Sequence, residues 1–156
     1  MRDAVVNRED VIVVSKVYPH NASRRGAVTA CERSLARLGL DHVDLYLLHW
    51  KGSHPLAQTI EAFEALRAAG RLRHWGVSNF DARDMQRLAN TAGGDACATN
   101  QVYYSATERG VEFDLLPWMR RHTMPLMAYC PIDQGSLAGD HVFASVGRRH
   151  GITATQ

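Results

Sequence analysis

The chain has 156 residues, enough for one domain with a proper core, and its 18 Lys and Arg against 16 Asp and Glu leave a formal net charge of only +2. The basic residues are scattered among acidic ones, so no face for nucleic acid or another polyanion is marked. No apolar run is long enough to cross a bilayer, and no membrane partner is expected.

Residues 1–4 carry no apolar core of a signal peptide, so the sequon Asn21-Ala22-Ser23 is expected to go unused. Three cysteines, Cys31, Cys97 and Cys130, are odd in number and far apart. That pattern argues against a disulfide framework or a zinc site and for reduced thiols in the cytoplasm, with no metal.

Residues 11–16, Val-Ile-Val-Val-Ser-Lys, predict a first strand. Ser23 can cap a helix over 24–38, whose Ala27, Val28, Cys31, Leu35 and Leu38 fall at helical spacing before Gly39 stops it. Residues 43–50, Val-Asp-Leu-Tyr-Leu-Leu-His-Trp, are an almost unbroken apolar run ending in an imidazole, the pattern of a parallel strand covered on both faces. Leu56, Ile60, Phe63 and Leu66 then stripe a helix that stops at Gly70.

A third strand is predicted over 73–79, with Asp81 capping a helix that buries Met85 and Leu88. A fourth runs over 96–102, followed by a helix from about Val111 with Pro117 in its first turns. A fifth covers 126–131, and a last helix follows near 141–150. Strict alternation at the size of one βαβ unit predicts a parallel α/β sheet with right-handed crossovers. An open doubly wound sheet and part of an eight-stranded barrel both satisfy that pattern.

Each predicted strand ends in side chains able to bind or react: Lys16, His49, Ser78 with Asn79, Gln101, and Tyr129. In a parallel sheet these ends share one edge, so the five groups converge. Singly, Lys16 reads as a solvated cap, His49 as a hydrogen-bonded core residue, Ser78 and Asn79 as turn residues, and Tyr129 as a core aromatic. Trp50, Trp75 and Trp118 read as packing. A Lys and a His at one mouth suit proton handling and polarisation of a carbonyl oxygen. The chain has no GxGxxG, P-loop or GxSxG, so a Rossmann dehydrogenase, an NTPase and an α/β-hydrolase lack support.

Residues 41–50, Gly76-Val77-Ser78-Asn79-Phe80, Thr99-Asn100-Gln101-Val102 and Met127-Ala128-Tyr129-Cys130-Pro131 resemble, in order and spacing, segments of the aldo-keto reductases. The resemblance covers nearly the whole chain. It implies a (β/α)8 TIM barrel rather than an open sheet, with NADPH bound across the C-terminal mouth and its hydride passed to an aldehyde or ketone. It further implies that Lys16 is the catalytic lysine, that His49 orients the carbonyl, and that Trp50 borders the substrate pocket. Ser78, Asn79 and Gln101 would hold the nicotinamide carboxamide, and Tyr129 would stack on the ring. The loop from Cys130 to Leu137, with Pro131, Ile132, Gln134 and Gly135, would pass the pyrophosphate; Cys130 stands where a serine is common.

The family's tetrad also uses an aspartate and a tyrosine on strands upstream of the lysine, and the chain begins only a few residues before the lysine strand. Tyr18 follows that strand and is not assigned the acid's role. The last strand and the basic segment that grips the 2′-phosphate would lie beyond Gln156. Residues 1–156 are therefore expected to form one incomplete barrel domain of about five βα units, the third to seventh of eight. Its two raw strand edges would favour self-association. The expected function is NADPH-dependent reduction of a small carbonyl substrate. The alternatives are a non-catalytic regulatory chain, or a half-barrel completed by another chain.

Overall fold

Among the described residues every strand pairs with its neighbours in sequence, all in parallel. The computed structural model describes residues 6–156, and the stretch 1–4 read above for a signal core lies outside them. In chain order the elements are β1 (Val14–Val17), α1 (Arg24–Leu38), β2 (Val43–Leu48), α2 (Leu56–Ala68), β3 (Leu72–Ser78), α3 (Ala82–Ala89), β4 (Asn100–Tyr103), α4 (Leu115–Arg121), β5 (Leu126–Tyr129) and α5 (His141–His150). The sheet order is β1-β2-β3-β4-β5. A doubly wound sheet reverses its order at a switch point. A sequential order with right-handed crossovers instead puts the helices on one face, which is five consecutive units of a barrel.

The core lies between the strands and these helices. Tyr46, Leu48, Trp75, Val77 and Val102 point from the sheet toward Ala27, Cys31, Phe63, Leu66, Met85, Leu88 and Met119, all buried. Phe63 meets Tyr46 edge-on, with centroids 5.6 Å apart, and Trp75 at the same distance, while Trp75 Nε1 donates to Glu64 at 2.6 Å. Trp75 and Trp118 are thus packing residues, as expected. Trp50 is not, being 42% exposed.

Alternation along each strand sends Lys16, Leu45, Leu47, His74, Gly76, Gln101, Met127 and Tyr129 to the other, concave face. Gly76 is required there: a Cβ would come within 2.5 Å of the Thr99 carbonyl oxygen and 2.9 Å of a Leu47 methyl. Below this level is a cavity of about 490 Å³ lined by Leu45, His74, Thr99, Leu126 and Met127.

The predicted caps hold. Ser23 Oγ accepts from Gly26 N at 3.1 Å and Asp81 from Asp84 N at 2.7 Å, and Gly39 ends α1 with φ +65°. Strand ends differ from expectation for local reasons. β1 was expected over 11–16, but the N–H of Val13 is taken by the Asp44 carboxylate at 2.8 Å rather than by a ladder carbonyl. β4 was expected over 96–102, but Ala96 N and Cys97 N bond back to the Gly93 and Gly94 carbonyls, and Gly94–Ala96 forms a 3-10 turn. β5 was expected to reach 131 and stops at Tyr129, because Cys130 turns left-handed at φ +51°. The helix expected from about Val111 is a 3-10 turn, Gly110–Glu112, followed by α4 starting at Leu115, with Pro117 in its first turn. Helix α2 runs to Ala68 with Ala69 as its C-cap, and Gly70 stops it as expected, reversing the chain at φ +69°.

At the opposite end of the strands from the five polar groups, Asp44 clamps the segment that enters β1. Its carboxylate accepts from Arg8 Nη2 and from Val13 N, both at 2.8 Å, and Arg73 Nη1 stands 3.3 Å away. Burial acts to raise its pKa, but the Val13 N–H and the Arg8 guanidinium, with Arg73 behind them, hold it below the ordinary value. A depressed carboxylate stabilises the fold above its unfolded-state pKa of about 3.9. That contribution disappears as the pH falls through the folded-state value. Asp44→Asn is expected to lower stability by about 2 kcal/mol at pH 7 and by less at pH 3. Urea titrations of both chains at the two pH values check this, and equal losses would contradict it.

Candidate active site

The five strand ends do meet. Lys16 is in register with Leu47, and the ladder continues one step further through His49 N donating to Val17 O at 3.0 Å. Strand alternation then sets Lys16, Leu47 and His49 on one side. Burial and, after it, the nearby Lys16 ammonium depress the pKa of His49. The imidazole is therefore neutral at pH 7, able to give a hydrogen bond and to accept one.

Around His49 the sequence builds an aromatic cluster. The Tyr18 ring lies 5.1 Å from His49 and 5.3 Å from Trp50 between centroids, and His49 lies 4.6 Å from Trp50. Tyr18 and Trp50 are 51% and 42% exposed, so the cluster forms an open apolar wall beside the imidazole. Tyr18 was set aside as an acid and not otherwise read. Its spacing of two from Lys16 was the available signal, since period two keeps it on the same face of an extended chain.

Asn79 knots three strand ends together. It adopts φ +59°, a left-handed conformation that asparagine tolerates better than most residues. Its Nδ2 donates to His49 O at 3.0 Å, and its Oδ1 accepts from the Tyr129 hydroxyl at 2.9 Å. Ser78 Oγ donates to Gln101 O at 2.7 Å, and buried Asn100 donates to Phe80 O at 2.8 Å, fixing the turn out of β3. Among the described residues Gln101 Nε2 has only the thioether of Met127, at 3.0 Å, and its buried Oε1 has no partner. A buried acceptor left unpaired costs free energy that a ligand donor would recover.

Tyr129 has a neighbour that the sequence reading did not single out. Tyr103 is its register partner, and the two rings stack with centroids 5.5 Å apart and planes 9° from parallel. The Tyr103 hydroxyl donates to Asp133 Oδ1, and Ser136 Oγ donates to Asp133 Oδ2 at 2.5 Å. Asp133 lies in the loop after β5, where Cys130, Asp133, Gln134 and Gly135 all have positive φ. Within that loop Pro131 and Ile132 are exposed, and Leu137 is buried. The mouth thus offers a neutral imidazole beside an ammonium, a patch of amide and hydroxyl groups, an aromatic plane and a strained loop. Such a set can orient a carbonyl and hold a flat amide-bearing ring.

Comparison with known proteins gives the family. The Aldo/keto reductase family profile matches residues 1–149. The chain is 49% identical over 154 residues to methylglyoxal reductase YeaE of Escherichia coli strain K12, an overlap of 96% of this chain and 54% of that protein. It is 31% identical over 156 residues to glyoxal reductase of Bacillus subtilis strain 168, covering 100% of this chain and 55% of the relative. Among solved structures, an aldo-keto reductase from Klebsiella pneumoniae in complex with NADPH superposes with a TM-score of 0.91 at 48% identity, over 95% of this chain and 54% of that one. The chain spans about half the length of the relatives it matches.

The depressed pKa of His49 is directly measurable. In a proton NMR titration its imidazole is expected to protonate below the ordinary value of 6.5, and Lys16→Met is expected to move the midpoint upward. A midpoint at or above 6.5 in the unaltered chain would contradict the geometry. Because the shift is downward, any stability the neutral ring contributes is present above the unfolded-state pKa and is lost as the pH falls through the folded one.

Proposed function

Since this chain belongs to the Aldo/keto reductase family, we propose that it carries the lysine, histidine and nicotinamide-binding side of an NADPH-dependent oxidoreductase that reduces aldehydes or ketones to alcohols. The convergence of Lys16, His49, Asn79, Gln101 and Tyr129 on one mouth is the observation that carries this reading. The relatives named for methylglyoxal and glyoxal favour a small dicarbonyl substrate. A cytoplasmic location accords with three unpaired thiols.

The cofactor fits the residues present. The unpaired Oε1 of Gln101 has the polarity needed to accept from a carboxamide N–H, with Ser78 and Asn79 beside it. A carboxamide donor would take over the Asn79 Oδ1 that the Tyr129 hydroxyl now occupies, leaving the Tyr129 ring to lie against the nicotinamide. The loop with Cys130, Pro131, Ile132, Gln134, Gly135 and Leu137 would follow the diphosphate. NADPH supplies a hydride when bound. Neutral His49 would donate to the carbonyl oxygen and hold it in line, with Trp50 and Tyr18 walling the substrate. The Lys16 ammonium would favour the ionised form of a neighbouring phenol, making it an acid matched to neutral pH.

A second reading is favoured by the sheet edges. Among the described residues β1 pairs only with β2 and β5 only with β4. Ile12 and Val14 lie beside the first edge, 79% and 37% exposed. Such edges invite pairing with another chain. Sedimentation is expected to detect self-association at micromolar concentration, and a monodisperse monomer would count against this half-barrel reading.

The test of the first reading is NADPH consumption with methylglyoxal, run on the chain and on Lys16→Met after circular dichroism has established that both fold. Loss of about 10²-fold or more in the variant is expected, the scale of a positioned proton-transfer group. Equal turnover in both would remove Lys16 from the chemistry. A folded chain with no turnover would move the chemistry to a longer or assembled form.

A further inference from the structure

Tyr103 is engaged twice, and neither contact belongs to the reaction described above. Its ring lies flat along Tyr129, and its hydroxyl is bonded to a carboxylate four residues beyond the end of that strand. A core tyrosine would need only one of these. Asp133 is also unusual in its setting. It sits with φ +47° in a loop assigned to a diphosphate, a place where a negative charge would repel the ligand. The Ser136 and Tyr103 hydroxyls, in that order, hold its pKa down, so the carboxylate is ionised at neutral pH and both of its oxygens are occupied.

From this we propose that Tyr103 is a positioning residue of the cofactor site. It fixes the plane of Tyr129 through its ring, and through its hydroxyl it holds the Asp133 charge away from the diphosphate path. The two ends of one side chain thereby couple the nicotinamide half of the site to the diphosphate half. The cofactor assignment under Proposed function is the premise of this step.

The two contacts separate by substitution. Tyr103→Phe keeps the ring and releases Asp133 Oδ1, with Oδ2 still on Ser136; Tyr103→Leu removes both Tyr103 contacts; Asp133→Asn removes the charge. Binding of NADPH and of reduced nicotinamide mononucleotide, which lacks the diphosphate, is measured by fluorescence titration on folded chains. Tyr103→Phe is expected to weaken NADPH about tenfold, the scale of one hydrogen bond to a charged group, and to leave the mononucleotide within about twofold. Adding Asp133→Asn to Tyr103→Phe is expected to restore NADPH affinity. Tyr103→Leu is expected to weaken both ligands. Unchanged NADPH affinity in Tyr103→Phe, or a loss that Asp133→Asn leaves in place, would overturn the role given to Tyr103. Failure of the unaltered chain to bind either ligand would instead overturn the cofactor assignment, and this inference with it.

Discussion

The site hangs from one constraint, the complete burial of β2. All six side chains of Val43–Leu48 are shielded from water, so the strand has to be covered on both faces and paired on both edges. Its register with β1 and β3 then follows, with Lys16 opposite Leu47 and Leu47 opposite Gly76. A slip of one residue would turn Lys16 away from the concave face and drive a helix-facing side chain against Gly76. His49 is simply the first residue after that buried run, held by the last rung of the β1 ladder. Its place beside the lysine is thus a result of backbone pairing, and its neutrality a result of that place.

The two ends of the sheet divide the labour of stability and binding. At the strand N-termini a carboxylate is satisfied by two guanidinium groups and a backbone N–H, an arrangement that anchors the chain entering β1. At the C-termini the side-chain oxygen of Gln101 is bare and its amide nitrogen meets only a sulfur. Left-handed residues are also concentrated there, at Asn79, Cys130, Asp133 and Gln134. Backbone strain concentrated at one end, around that bare oxygen, accords with a ligand-binding mouth.

What could be read from the sequence depended on whether the signal was local. Ser23, Asp81 and Gly39 act within one turn of their own helix, so their roles as caps and stop were legible. The limits of β1 and β4 were not, because they depend on Asp44 and on turn carbonyls that take N–H groups out of the ladder. The candidate site followed the same rule. Strand ends were visible as polar residues closing apolar runs, which gave Lys16, His49, Ser78, Gln101 and Tyr129. Tyr103 was hidden because its meaning lies in the register of β4 against β5, although its spacing of two from Gln101 marked the face. Asp133 gave no signal, as nothing in a loop acid predicts a tyrosine thirty residues earlier.

The sequential strand order bears on how the chain comes to be folded. Each new strand docks on the one synthesised just before it, as Val14 does with Leu45 and Val43 with Leu72, so no pairing in the sheet waits for a distant segment. Parallel sheets are slow to form when their partners are far apart, and this arrangement keeps every loop closure near thirty residues or fewer. A nascent chain leaving the ribosome can therefore add units one at a time, each covering the exposed edge of its predecessor and presenting a fresh one to the next.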